Sequence, residues 1–149
     1  MKVTCVVENT AGGSLWGEHG LSFFIETEEG SRVLFTLRVL RDTGQGGTVL
    51  LHNLAELKID PREIQALALS HARQDHTGGL EALLERSSGF PLYAHPDLFR
   101  KRFSRHGEKV DYIGLPLTRG ELAAQVELHL SREKMKIAPG DVASGLRAG

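Results

Sequence analysis

Cysteine is almost absent from this chain, and Cys5 is the only one. No disulfide framework can form within it, which fits a reducing compartment. Cys5, set in a strand pattern, is expected to be buried and inert. No apolar run approaches the roughly 18–20 residues that cross a bilayer as a helix, and Met1 to Glu8 alternates like a strand rather than carrying a signal-peptide core. These absences predict a cytoplasmic protein without membrane contact. An excess of one charge is also missing. A formal net charge of −1 offers neither a basic surface for nucleic acid nor an acidic tail. No low-complexity stretch or long linker divides the 149 residues, so one domain over 1–149 is expected.

The apolar pattern predicts an α/β chain. Lys2 to Val7, Leu21 to Glu26 and Ser31 to Leu40 read as strands, the last two joined by Glu28-Glu29-Gly30. Arg32-Val33-Leu34 recurs loosely as Arg38-Val39-Leu40, so this third strand is either a long edge strand with a bulge or carries an insertion. Thr48 opens a helix with Val49, Leu50, Leu54 and Leu57 on one face. The glycines at 44, 46 and 47 read as a tight strand-to-helix turn. Asp60-Pro61-Arg62-Glu63 caps a short helical turn, and Ile64 to Leu69 is apolar enough for a buried strand. Gly79 to Arg86 reads as a helix ended by Ser87-Ser88-Gly89. Phe90 to Ala94 is a strand, and a helix from Pro96 to Phe103 is expected after His95, itself a loop or cap residue. Lys101 to Lys109 is basic but interrupted, the pattern of a solvated helix end and loop. Thr118 and Glu121 form a capping box for a helix to Gln125. Val126 to Leu130 and Met135 to Ile137 are late strands, and Ala143 to Gly149 is expected to fray.

The chemistry concentrates in Ser70-His71-Ala72-Arg73-Gln74-Asp75-His76-Thr77-Gly78-Gly79, between the apolar run 64–69 and the following helix. His71, Asp75 and His76 bring imidazole nitrogen and carboxylate oxygen into six residues, a donor set suited to zinc, iron or manganese. A metal held there activates water for hydrolysis or polarises a substrate oxygen. Arg73 stands between them. It stays protonated and has no lone pair to give. At roughly 4 Å, unit like charges repel by about 1 kcal/mol in water and about 4 kcal/mol at an effective dielectric near 20, and a divalent ion doubles this.

These residues carry a resemblance. The loop is similar to the His-x-His-x-Asp-His signature of the metallo-β-lactamase-fold superfamily, with Arg73 at the second histidine position. Glu18-His19-Gly20-Leu21-Ser22, Asp42-Thr43-Gly44-Gln45-Gly46-Gly47, Leu69-Ser70-His71 through Thr77-Gly78-Gly79-Leu80, and Tyr93-Ala94-His95-Pro96 resemble the branch typified by dihydropterin-methyl-ribofuranosylaminobenzene-phosphate synthase. The resemblance implies the N-terminal portion of an αββα sandwich, with a mixed sheet, flanking helices and a metal site at one sheet edge. It makes His71 a ligand of a first metal and Asp75 and His76 ligands of a second, with zinc, iron or manganese as the cofactor. Asp75 is also the candidate catalytic carboxylate. Asp42 would brace the ligand loop, and Glu18 and His19 would lie near the substrate mouth. The family's remaining ligands lie in the second half of its fold, where this chain has only His129 as a weak substitute. Thr36 to Arg41 looks inserted before the Asp42 loop.

Two functions are compatible with these residues. One is a metal-dependent hydrolase or transferase acting on a small, phosphorylated or ester-like molecule. The other is a catalytically inactive or truncated domain, incomplete at its C-terminus, that pairs as a homo-oligomer through an uncovered sheet face.

Overall fold

A computed structural model describes residues 1–18, 20–39, 47–69, 79–139 and 142–144. Its strands are β1 (Lys2–Val7), β2 (Gly20–Glu26), β3 (Arg32–Val39), β4 (Ala66–Leu69), β5 (Pro91–Ala94), β6 (Phe103–His106), β7 (Lys109–Tyr112), β8 (Glu127–Leu130), β9 (Met135–Ala138) and β10 (Val142–Ser144). The helices are α1 (Thr48–Glu56), α2 (Leu80–Leu84) and α3 (Arg119–Ala123). Single 3-10 turns cover Pro61–Glu63 and Pro96–Phe99.

A mixed six-stranded sheet runs in the order β1-β2-β3-β4-β5-β8. The first three strands form an antiparallel meander, while β3, β4, β5 and β8 are parallel. The register aligns Phe24, Leu34, Leu67 and Leu92 in one row across four strands. All four are at most 2% exposed. Leu50 and Leu54 of α1, Leu80, Leu83 and Leu84 of α2, and Leu122 of α3 close over this face. On the opposite face Val33, Ala66 and Ala68 meet Ile137 and Ala138 of β9, with Ile25, Phe35 and Tyr93 half-buried around them. β4 is buried on both faces, which is why Ala66-Leu67-Ala68-Leu69 reads as an unbroken apolar run rather than an alternation.

Local signals hold where caps specify them. Asp60 accepts from the Arg62 N–H at 2.9 Å, and the Arg62 guanidinium holds its carboxyl down to a pKa of about 2. His95 caps the Pro96–Phe99 turn, its Nδ1 accepting from the Asp97 N–H at 3.1 Å. Thr118 and Glu121 form the expected reciprocal capping box.

Four expectations are corrected. The helix from Pro96 to Phe103 stops at Phe99, and the basic stretch beyond it is not a helix end and loop. It forms an antiparallel hairpin, β6–β7, turning at Gly107 (φ 63°). Phe103-x-Arg105 and Val110-x-Tyr112 alternate about that glycine, a strand period hidden by the density of charge. Residues 143–144 pair with β9 as part of β10 instead of fraying. Cys5 is exposed, because a register shift between Cys5 and Val7 turns Val6 and Val7 both inward and leaves the thiol on the outside, donating to the Val7 carbonyl at 3.6 Å. β3 is long but is no edge strand, being paired on both sides. Its partners skip from Leu21↔Arg38 to Ser22↔Thr36, so Leu37 is one extra residue, a bulge within the segment that looks inserted.

Of the glycines expected to form a tight turn, Gly44 and Gly46 lie outside the described residues, and Gly47 caps α1 in the left-handed region (φ 84°). A Cβ there would lie 2.3 Å from the Ala82 Cβ of α2. Gly47→Ala therefore meets both backbone strain, about 1–3 kcal/mol for such a conformation, and a clash. The expected loss in urea unfolding is at least about 2 kcal/mol. Adding Ala82→Gly should recover the clash but not the strain; equal losses with and without it would sink this account.

Candidate metal centre

In an open sheet, ligands gather beyond the carboxyl ends of parallel strands. Here the segment following each of β3, β4, β5 and β8 leaves from one edge, and β2 begins there. Glu18 precedes β2 at this edge, Val39 and Leu69 end β3 and β4 there, and His95 follows β5. His19, Asp42, His71, Arg73, Asp75 and His76 themselves lie outside the described residues. Among the described residues no three His, Cys, Asp or Glu side chains stand close enough to hold a metal.

What is described is the frame around the ligand loop. Leu69 ends β4 beside Thr36 of β3, and Gly79 caps α2 on the far side. Thr36, Leu50, Leu67, Leu69, Gly79, Leu80 and Leu83 enclose a cavity of about 10 Å³, room for at most about one water. The side chains around it are therefore closely packed. Its polar part is small: the buried Ser22 hydroxyl lies 3.4 Å from the Thr36 hydroxyl. A larger groove of about 550 Å³, lined by Asp60, Pro61, Arg62, Glu85 and Arg86 among others, lies toward the amino end of β4 and away from this edge.

Glu18 is the one predicted site residue that is described. Its backbone N–H donates to the Glu8 carbonyl at 3.1 Å. One carboxylate oxygen is inaccessible to solvent and has no hydrogen-bond partner among the described residues. Burial pushes this carboxyl above its ordinary value.

Asn53 is a structural residue the sequence pattern does not reveal, since it sits at a polar position of an amphipathic helix. It is 1% exposed. Its amide donates to the Val6 carbonyl at 2.8 Å and the Trp16 carbonyl at 2.9 Å, and its oxygen accepts from the Trp16 N–H at 2.8 Å. It thereby staples the loop that carries Glu18 onto α1. Trp16 stacks on His52 at 3.8 Å, and His52 Nε2 lies 2.8 Å from the Ser14 carbonyl, so His52 has a packing role. His129 lies in β8 with its Nε2 2.9 Å from a Glu127 carboxylate oxygen and its ring stacked on Tyr93.

This arrangement of strands and edge has counterparts among known proteins, although no family model matches the chain. A metallo-β-lactamase of Cronobacter sakazakii, described by its HARLDQ motif, superposes with a TM-score of 0.54 at 20% identity, over 82% of this chain and 44% of its own. The described residues form part of a metallo-β-lactamase fold. In sequence it is similar to the 7,8-dihydropterin-6-methyl-4-(β-D-ribofuranosyl)-aminobenzene-5'-phosphate synthase of Methanocaldococcus jannaschii, 33% identical over 145 residues, 94% of this chain and 48% of the relative. It is also similar to the exodeoxyribonuclease WalJ of Streptococcus pneumoniae, 32% identical over 79 residues, 53% of this chain and 26% of that protein. The chain spans about half the length of the synthase it matches.

Two outcomes test the frame. Asn53→Ala leaves buried backbone groups of Val6 and Trp16 unpaired and should cost about 2–4 kcal/mol in denaturant unfolding; a loss under about 0.5 kcal/mol would contradict it. For Glu18 the sign is fixed by its raised pKa. Below the unperturbed value of 4.5 both folded and unfolded states are protonated and burial costs nothing extra. As pH rises through the folded value, ionisation penalises the folded state. Glu18→Gln should therefore melt above the wild type at pH 7, with the gap closing near pH 3.5. A gap that is constant with pH would refute the assignment.

Proposed function

We propose that this chain carries the ligand-loop half of a metal-dependent hydrolase or transferase site acting on small, phosphate-bearing molecules. The observation that supports this most is the edge itself: four parallel strand ends and the Glu18 loop meet where the sequence places two histidines, an aspartate and an arginine. The donor chemistry fits a divalent metal, since two imidazoles and a carboxylate are what zinc, iron or manganese take. His71, Asp75 and His76 would hold it, and when bound it would supply Lewis-acid polarisation of a phosphoryl or ester oxygen.

The remaining residues supply binding. Arg73 is the phosphate receptor in this reading, since a guanidinium offers paired N–H donors that match two phosphate oxygens. The HARLDQ motif of the Cronobacter lactamase has arginine at the same place in its run as His71-Ala72-Arg73. Arginine there is compatible with the fold. Glu18, whose carboxyl burial holds above its ordinary value, would lie at the mouth. Asp42 would brace the loop from the end of β3. The names of the synthase and the exodeoxyribonuclease both denote phosphate-bearing substrates or products, which favours this class over a plain carboxylic ester.

Metal analysis of the purified protein tests the reading, with zinc titration of wild type, His76→Ala and Arg73→His. Wild type should hold up to one zinc, His76→Ala should lose at least about tenfold in affinity, and Arg73→His should gain about tenfold or more while binding phosphate esters more weakly. Wild type and Arg73→His both failing to take up metal would overturn it.

A second reading is a non-catalytic domain that pairs with a second copy of itself. It is favoured by the sheet face that β9 covers only in part, where Ile25, Phe35 and Tyr93 stay half-buried. It predicts a dimer in sedimentation velocity that Phe35→Lys disperses, and a wild-type monomer with a cooperative melt would exclude it.

A further inference from the structure

The β6–β7 hairpin takes no part in the metal reading, and its composition departs from the rest of the chain. Between Arg100 and Tyr112 lie five basic residues and two acidic ones, in a protein whose formal net charge is −1. The average charge predicts no surface for nucleic acid, but it hides this local concentration.

Pairing sorts the hairpin into two faces. Phe103 stands opposite Tyr112 and Arg105 opposite Val110, so these four share one face. Ser104, His106, Lys109 and Asp111 share the other, where Lys109 pairs with Asp111 at 3.1 Å. On the first face Phe103 is 61%, Val110 59% and Tyr112 42% exposed. This exposed apolar face is also ordered. The Tyr112 hydroxyl donates to the Leu115 carbonyl at 3.0 Å. Its ring lies over Gly114, where a Cβ would come within 2.4 Å of the hydroxyl oxygen. Phe103 meets Tyr112 edge-on, with ring centroids 5.5 Å apart. Arg105 curls back so that its Nε donates to the Gly107 carbonyl at 3.0 Å, and among the described residues no carboxylate pairs with its charge. Arg100 and Lys101, both exposed, continue the cationic line, also without an acidic partner among the described residues.

We propose that this face of the β6–β7 hairpin docks single-stranded nucleic acid. The chemistry selects the occupant. An acidic peptide would use Arg100, Lys101 and Arg105 but leave the ordered rings in water. A small ligand needs a concave site to bury it, and this face is a projecting two-stranded ribbon. A single strand uses both features at once, stacking bases on Phe103 and Tyr112 while its phosphates lie along the cations.

The test is fluorescence anisotropy with a labelled oligodeoxythymidine of roughly 12 nucleotides, run with chelator so that the outcome is independent of any metal chemistry. Wild type should bind with affinity that falls as salt rises. Phe103→Ala should weaken binding roughly tenfold. Arg105→Ala should weaken it and lower the salt slope by about 0.7, the share of one phosphate contact on a single strand. Both variants should keep the wild-type melting temperature, because neither side chain is buried. No binding at low salt would overturn the proposal, as would binding that both variants leave unchanged. Equal or tighter binding to phosphatidylserine vesicles, lost in the same variants, would overturn it in favour of a membrane surface.

Discussion

The parallel pairing of β3, β4 and β5 is the constraint on which the rest depends. Leu34, Leu67 and Leu92 sit in register across these strands and are at most 1% exposed. A one-residue slip would turn each of them to the other face. Truncating one buried leucine of this kind costs about 2–5 kcal/mol, a large share of the roughly 5–15 kcal/mol by which a domain is stable. The same register decides where the strands stop. Thr36 and Leu69 end up side by side, and the segments leaving β3 and β4 are delivered to one edge. The hydrophobic row, not attraction among polar groups, sets where these strands end.

The helices transmit that placement. Gly47 lets α1 start close against Ala82 of α2, so the segment leaving β3 and the segment leaving β4 both end on one helix contact. Asn53 ties the Trp16 backbone to α1 and to the Val6 carbonyl of β1. A buried amide with both donors and its acceptor engaged is directional in a way that leucine packing is not. It fixes the loop before Glu18 against rotation, and the buried carboxylate oxygen of Glu18, unpaired among the described residues, is what that fixed position leaves behind.

Much of this was legible in the sequence wherever a local rule had no competitor. Asp60, His95 and Thr118 cap turns because their side chains reach their own backbone, and no tertiary contact is needed to see it. The buried run before the loop and the helix after it were equally plain. The hairpin was not, because the basic residues between Arg100 and Lys109 mask a period-2 alternation of only four residues per strand. Val142 to Ser144 carries too short a pattern to be seen without its partner β9. Asn53 could not be found from pattern at all, since its role depends on three groups 37 to 47 residues away. The exposure of Cys5 comes from a bulge that alternation alone does not locate.

Arg73 shows how far a ligand count can mislead. Judged as a donor, it is a defect, since it lacks a lone pair and repels a cation. Judged by the reaction, the sign reverses. In the proposed reading a phosphate monoester would bring up to two negative charges, and a site of one divalent ion with few carboxylates would leave part of that charge unbalanced. A guanidinium near the metal would then repel the cation while no substrate is bound and attract the phosphate when it is. Its cost to metal affinity and its gain in substrate affinity come from the same charge, so the two must move in opposite directions when it is replaced. A vestigial arginine would show only the first. The opposed response separates a phosphate-binding site from a decayed one, and it needs no assumption about which substrate the edge receives.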